Sequence, residues 1–221
     1  MRGKFAVFAA MLAAALIFAG CPDSGDYYGS GSTRPNAPSW ISVGTQWDGG
    51  LTTNSITISW SWWDHWGSDA FRIERATSAI GPWDTISWTS NTSFTDTGLL
   101  PNTTMFYRVI AVRGSLESVP SETVSGTTRP LVPANVTATG QSGAIQISWS
   151  AASGVTHHRV EFATSAGGWF SDVPGATAVT GNSFIHTGLP SNTTRWYRVT
   201  AINSAGGQSQ PSGTVSATTL P

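Results

Sequence analysis

The 221-residue chain contains a single cysteine, Cys21, so no disulfide can form within it. Charged residues make up only 10%, and 11 Lys and Arg nearly balance 12 Asp and Glu. A nucleic-acid partner is not expected, because phosphate binding depends on clustered cations. The sequence also lacks the motifs GxxxxGK[ST], HExxH and CxxC and any paired-carboxylate pattern. We therefore expect neither an enzyme nor a cofactor or metal site.

The one long apolar run lies at the N-terminus. Two basic residues precede an unbroken apolar stretch over residues 5–18, and two small residues separate it from Cys21. This stretch is too short for a comfortable membrane span and is typical of a cleaved export signal over residues 1–20. Residues 21–36 are rich in Gly, Ser, Asp and Pro without apolar periodicity, which predicts a flexible tether.

The segment FAGC, which ends at Cys21, resembles the bacterial lipoprotein box. The resemblance implies that the cysteine is lipidated and becomes the N-terminus after cleavage. The protein would then be anchored by its N-terminal lipid to a membrane of the bacterial cell envelope, outside the cytoplasm, with the leaflet left open. The alternative is an unmodified cysteine in an ordinary signal peptide.

A long segment of the chain occurs twice. The sequence SFTDTGLLPNTTMFYRVIAV, Ser93 to Val112, returns 90 residues later as SFIHTGLPSNTTRWYRVTAI, Ser183 to Ile202. Such a period is too long for a solenoid repeat and suits a small domain with its own core. The sequence therefore predicts module 1 over residues 37–128, a linker over residues 129–132 and module 2 over residues 133–219.

Apolar residues in each module recur with period two, which indicates half-buried strands. In module 1 these are Ile56, Ile58 and Trp60, and in module 2 they are Ile145, Ile147 and Trp149. Turn signals interrupt the chain about every ten residues, and no segment has helical spacing. Several short strands in about 90 residues predict an all-β, antiparallel sandwich for each module.

Both modules resemble bacterial fibronectin type III domains. The resemblance rests on segments that follow one another in a typical order: ISW, FRIERATS or HRVEFATS, SFTDTGL, NTT, YRVIAV and PSETVSGTT. The resemblance implies two tandem, immunoglobulin-like, seven-stranded β-sandwiches. It also implies which residues are in the cores: Trp60, Trp149, Leu99, Leu189, Tyr107 and Tyr197.

Three further residues, His158, Trp83 and Trp169, are interpreted as structural. His158 occupies the inward position of Phe71, and its neighbour His157 must point to the opposite face, so a metal site is not expected. Trp83 and Trp169 both follow a glycine-containing pair after the repeated ATSA turn. We therefore expect both rings to pack on their modules.

The segment SWSWWDHWGS, residues 59–68, holds four tryptophans, whereas its counterpart in module 2 has one. Strand alternation lets only some of these rings reach the core, and an exposed ring can stack on a sugar or a protein partner. The candidate ligand-binding residues are Trp62, Trp63, Asp64, His65 and Trp66. The alternatives are that the rings close the end of the sandwich, and that the lipoprotein is a structural spacer without a strong ligand.

A catalytic triad from Asp64, His65 and Ser68 is not expected, because three polar residues in one loop do not orient a base between nucleophile and acid.

Overall fold

The computed structural model describes residues 34–65 and 67–221, where it contains only strands, turns and irregular segments. The predicted all-β class is confirmed. The predicted leader, Cys21, most of the tether and Trp66 lie outside the described residues. Within the described ranges, no helix is long and apolar enough to span a membrane.

Module 1 is a sandwich of two antiparallel sheets. One sheet has the order β1-β2-β5, and the other has the order β4-β3-β6-β7, with β8 also paired to β6. The two-residue strand β7 is an extension of the hairpin after β6, so the remaining seven strands match the predicted number. The strands are β1 (Ser39–Val43), β2 (Ser55–Ser61), β3 (Ala70–Ala76), β4 (Asp84–Thr89), β5 (Ser93–Thr97), β6 (Thr104–Arg113), β7 (Leu116–Glu117) and β8 (Val124–Thr127).

Module 2 repeats this topology with sheets β9-β10-β13 and β12-β11-β14-β15. Its strands are β9 (Thr137–Gln141), β10 (Ala144–Ser148), β11 (Val155–Ala163), β12 (Ser171–Asp172), β13 (Ser183–Thr187), β14 (Thr194–Asn203) and β15 (Val215–Thr218). The pairing of β10 with β13 is continuous over five residue pairs. The matching pairing of β2 with β5 is also continuous over five pairs.

Each sandwich has its own hydrophobic core, made by the predicted inward rows of its strands. Members of the module 1 core are Ile56, Ile58, Trp60, Phe71, Ile73, Leu99, Tyr107, Val109 and Ala111. Members of the module 2 core are Ile145, Ile147, Trp149, Val160, Val173, Ala176, Tyr197 and Val199, with Leu189 partly buried against them. The period-two alternation therefore identified Ile56, Ile58 and Trp60 and their counterparts in module 2, whereas Val173 and Ala176 were not predicted.

The two core tyrosines have different polar partners. The Tyr107 hydroxyl donates to Asp96 Oδ2 at 2.8 Å, and Asp96 is also paired with Arg75 at 3.0 Å. In module 2 the Tyr197 hydroxyl lies 2.9 Å from His186 Nδ1, and the His186 ring meets Phe162 edge to face. Burial raises the pKa of both tyrosines, so both hydroxyls stay protonated.

His158 is a packed residue, as expected, with 5% of its surface exposed. Its ring centroid is 5.0 Å from that of Trp149, in the place where Phe71 meets Trp60 in module 1. Neither ring nitrogen makes a hydrogen bond of ordinary geometry. Burial lowers the pKa of His158, against the opposing effect of nearby backbone groups.

The expectation that Trp169 packs on its module is wrong. Its ring is 97% exposed, and Phe170 instead lies over the Arg198 guanidinium, 4.3 Å from ring centroid to Cζ. In module 1, Trp83 lies over Arg108 in the same way at 4.4 Å. The spacing between copies is 87 residues in this region rather than 90, so Trp83 corresponds to Phe170. A cation–π contact is thus repeated with a different aromatic ring.

The modules contact one another through hydrogen bonds at their junction. Asn203 Nδ2 donates to Asn102 Oδ1 and to the Thr128 carbonyl, both at 3.2 Å. Asn102 Nδ2 in turn donates to the Ser153 carbonyl at 2.8 Å. A Cβ on Gly154 would lie 2.7 Å from the Asn102 side chain, so glycine is required for this close approach.

Candidate functional site

Trp62 closes the end of the module 1 sandwich. Its ring meets Phe71 edge to face, with centroids 5.5 Å apart, and packs against the core. Its Nε1–H donates to the Asn36 carbonyl at 2.9 Å. Trp62 lies two residues beyond the buried Trp60, so it continues the inward row past the end of β2. Trp62 therefore closes the end of the sandwich, which was the stated alternative to ligand binding.

Asp64 holds the loop that follows β2. Its carboxylate accepts hydrogen bonds from Arg113 Nη2 and from the Asn36 backbone N–H, each at 2.8 Å. Arg113 Nε also donates to the Gly67 carbonyl at 2.8 Å. The loop is thereby tied both to the end of β6 and to the last residue of the predicted tether. His65 is exposed at the turn of this loop.

Trp63 is the exposed ring of the predicted cluster. It lies between Trp62 and Asp64, both of which are anchored, yet its own side chain is 80% exposed. Asn36 Nδ2 donates to the Trp63 carbonyl at 3.4 Å, which adds to the restraint on its backbone. A large apolar ring is therefore presented to solvent from a fixed backbone.

A second exposed tryptophan, Trp40, lies near Trp63. It is 86% exposed and sits in an irregularity of β1 between Ser39 and Ser42, with a φ of 50°. Ser39 pairs with Ser61, two residues before Trp63. From chain geometry the two tryptophan Cα atoms are at most about 17 Å apart. Trp40 was not among the predicted site residues, since a lone tryptophan in a strand gives no signal of its exposure.

The two rings offer surfaces on which a flat partner can stack. In the part of the chain that the structure describes, no three His, Cys, Asp or Glu side chains are grouped so that they could hold a metal ion. The chemistry available to Trp40 and Trp63 is apolar contact with a flat partner such as a sugar ring.

The fold of this chain is similar to that of a solved two-domain structure. The two-domain fibronectin type III segment of chicken tenascin matches with a TM-score of 0.52 and 18% identity, over 83% of this chain and all of that segment. The chain thus has the fibronectin type III fold, in two tandem copies.

Two curated proteins are similar in sequence. Exoglucanase B of Cellulomonas fimi is 30% identical over 205 residues, which cover 85% of this chain and 17% of that protein. Amylopullulanase of Thermoanaerobacterium saccharolyticum is 32% identical over 85 residues, 38% of this chain and 6% of that protein. The chain therefore spans a small part of either relative. No protein-family model matches the chain.

Proposed function

We propose that this chain is a non-catalytic, lipid-anchored protein of the bacterial cell envelope that binds a polysaccharide on the exposed rings of Trp63 and Trp40. The observation that carries the proposal is the exposure of Trp63 on a loop that Trp62 and Asp64 hold in place. Covering a tryptophan contributes roughly 4 kcal/mol of apolar burial, and a fixed backbone loses little entropy on binding.

A glucose polymer is the favoured ligand. The two sequence relatives are named for activity on glucans, and each matches this chain over only part of its own length. A matching segment of such an enzyme can serve to hold the polymer or to space other domains. The exposed rings favour holding the polymer, because a spacer alone gains nothing from them.

Replacing Trp63 with alanine is expected to reduce retention of the full chain on insoluble cellulose or starch by at least about tenfold, because the stacking contact is lost. Trp63→Ala together with Trp40→Ala should abolish retention. Pull-down of purified protein on each polymer, with circular dichroism to verify the fold, measures this effect.

Trp169→Ala is the matched control for these variants, since it removes an even more exposed tryptophan from module 2. It should bind the polymers like the natural chain. Equal retention of the Trp63 variant and the natural chain would refute the proposed surface.

A structural spacer is the second candidate function, and the junction favours it. Hydrogen bonds between Asn203, Asn102 and Ser153 join the modules directly, as a spacer of set length requires. No retention of the natural chain on any polymer would support this role over binding.

The proposed anchor rests on Cys21 and is tested separately. Cys21→Ser is expected to move the protein from the membrane fraction to the soluble fraction, because acyl chains supply about 0.8 kcal/mol per buried methylene. Cell fractionation followed by mass spectrometry of the N-terminal peptide measures both location and modification. A serine variant that stays with the membrane would contradict lipid anchoring at this residue.

A further inference from the structure

Trp47 is a third exposed tryptophan, and it stands at the junction of the modules. Its ring is 81% exposed. The loop that carries it is ordered, because Asp48 Oδ1 accepts hydrogen bonds from the backbone N–H groups of Thr45 and Gly50, each at 2.8 Å. A Cβ on Gly50 would lie 2.4 Å from Gly44 Cα, so the loop closes on itself through two glycines. Trp47 is therefore held at a set position.

A cleft of about 160 Å³ lies beside Trp47. Both modules and the linker contribute to it, and its principal lining side chains are Gln46, Trp47, Arg129, Arg159, Thr200 and Gln208. Gln46 Oε1 accepts from the Gln208 backbone N–H at 2.7 Å, and Arg129 Nε donates to the Gln208 carbonyl at 2.6 Å. These bonds fix the cleft across the junction.

The equivalent positions of module 1 hold an apolar side chain and an ion pair. Ile110 on β6 is 2% exposed there, opposite Arg72 on β3. Arg72 makes two hydrogen bonds to the Glu117 carboxylate, of which Nη2 to Oε2 measures 2.9 Å. The Glu117 carboxylate binds both terminal nitrogens of Arg72, although the buried Arg72 Nε makes no hydrogen bond, and the apolar Ile110 offers no polar group.

Module 2 replaces each of these partners. Thr200 stands where module 1 has Ile110, and it faces Arg159 as Ile110 faces Arg72. Gln208 stands where module 1 has Glu117, since Gln208 bridges to Ile202 as Glu117 pairs with Val112. The carboxylate that makes two hydrogen bonds to the arginine of module 1 is therefore missing here.

Two buried polar groups at the cleft make no hydrogen bond. Thr200 is 1% exposed and its Oγ1 makes no hydrogen bond, and Arg159 Nε is also buried and unbonded. Arg159 forms ion pairs with Asp172 at 3.7 Å and with Glu161 at 3.8 Å, but neither carboxylate is within hydrogen-bonding distance. Arg129 makes no ion pair with any residue in the described ranges. Buried polar groups of this kind cost stability unless a ligand or water satisfies them.

We propose that this cleft binds an acidic saccharide, with the carboxylate of a uronic acid unit paired to the two arginines. A guanidinium donates two parallel hydrogen bonds to a carboxylate, and Arg159 and Arg129 are the cations that face the cleft. Thr200 Oγ1 hydrogen-bonds a sugar hydroxyl, and Trp47 packs against the apolar face of the ring. This site is separate from the Trp63 surface and does not depend on it.

Titration of the full chain in detergent with trigalacturonic acid is expected to show binding by calorimetry, with at least about tenfold weaker binding of the neutral maltotriose. Gln208→Glu restores the carboxylate that module 1 uses, so it should weaken binding of the acid by at least about tenfold while the backbone bonds of residue 208 remain. Trp47→Ala should weaken it by a similar factor.

Two variants serve as controls. Glu117→Gln makes the reverse change in module 1 and should leave the affinity unchanged, as should Trp169→Ala. The proposal is overturned if the natural chain binds no trigalacturonic acid, or if it binds the acidic and neutral trisaccharides equally. Unchanged affinity in both Gln208→Glu and Trp47→Ala also overturns it. The Trp63→Ala variant should bind the acid normally, which separates this site from the polymer-binding surface.

Discussion

Replacing Asp96 with alanine is expected to lower the free energy of unfolding of module 1 by about 3 kcal/mol. The change leaves the Tyr107 hydroxyl without a partner in the core and removes the ion pair of Arg75, whose side chain is 31% exposed. Breaking a fully buried pair costs about 3–5 kcal/mol, and the exposure of Arg75 places the expected loss at the lower end. For a domain of this size, the melting temperature of module 1 falls by roughly 12–24 °C.

Module 2 provides the matched rescue for this variant. There, His186 and Phe162 take the places of Asp96 and Arg75, and the tyrosine still has a partner. Arg75→Phe combined with Asp96→His should therefore recover a substantial part of the loss. Hydrogen exchange of peptides from β6 measures module 1, and peptides from β14 serve as the internal control. A single Asp96 variant with natural protection in β6 would contradict the assigned role.

Acidification from pH 8 to pH 5 is expected to destabilise module 2 more than module 1. Burial lowers the pKa of His158, and burial followed by the Arg195 charge lowers the pKa of His186. Because the folded pKa values lie below the unfolded value of about 6.5, the stabilising contribution is fully present above that pH. It is lost as the pH falls below 6.5 through the folded pKa values. The core of module 1 contains no histidine.

His158→Phe is expected to stabilise module 2 by about 1–2 kcal/mol at neutral pH, since it removes two unbonded ring nitrogens from the core. The variant should also respond less to acid, with the remaining response due to His186. The reciprocal change, Phe71→His, should cost module 1 about 2–4 kcal/mol and give it an acid response. Hydrogen exchange of β6 and β14 at both pH values measures each module separately. An identical pH response of the two strands in the natural chain would contradict the prediction.

The sequence was sufficient to predict the fold, because the repeated segment indicates two modules and the period-two alternation of apolar residues indicates strands. Ile56, Ile58 and Trp60 alternate with polar residues, and only one face of a strand can be buried in a sandwich. The assignment of Trp169 failed because insertions and deletions in turns change the spacing between copies. Aligning FRIERATSAIGPW with HRVEFATSAGGWF places Trp83 opposite Phe170, and this comparison could have corrected it.

The candidate loop was harder to interpret, because its residues follow the end of a strand. Trp62 keeps the inward phase of Trp60, which strand alternation could have indicated. The anchoring of Asp64 depends on Asn36 and Arg113, which are distant in sequence and come together only in the folded module. The residues that line the junction cleft are likewise distant from one another in sequence. Its only sequence signal is the exchange of Ile110 and Glu117 for Thr200 and Gln208 between the copies.

Among the described residues, the hydrogen bonds that join the modules are made by amide side chains and backbone groups, and the charged participant, Arg129, donates to a carbonyl rather than to a carboxylate. Dissolved salt screens attraction between ions over about 8–10 Å but has little effect on neutral hydrogen bonds at close range. We therefore expect the junction between the modules to keep its geometry at both low and high salt concentration. A chain that holds two modules at one fixed distance thereby gains a rigid joint that ionic strength does not loosen.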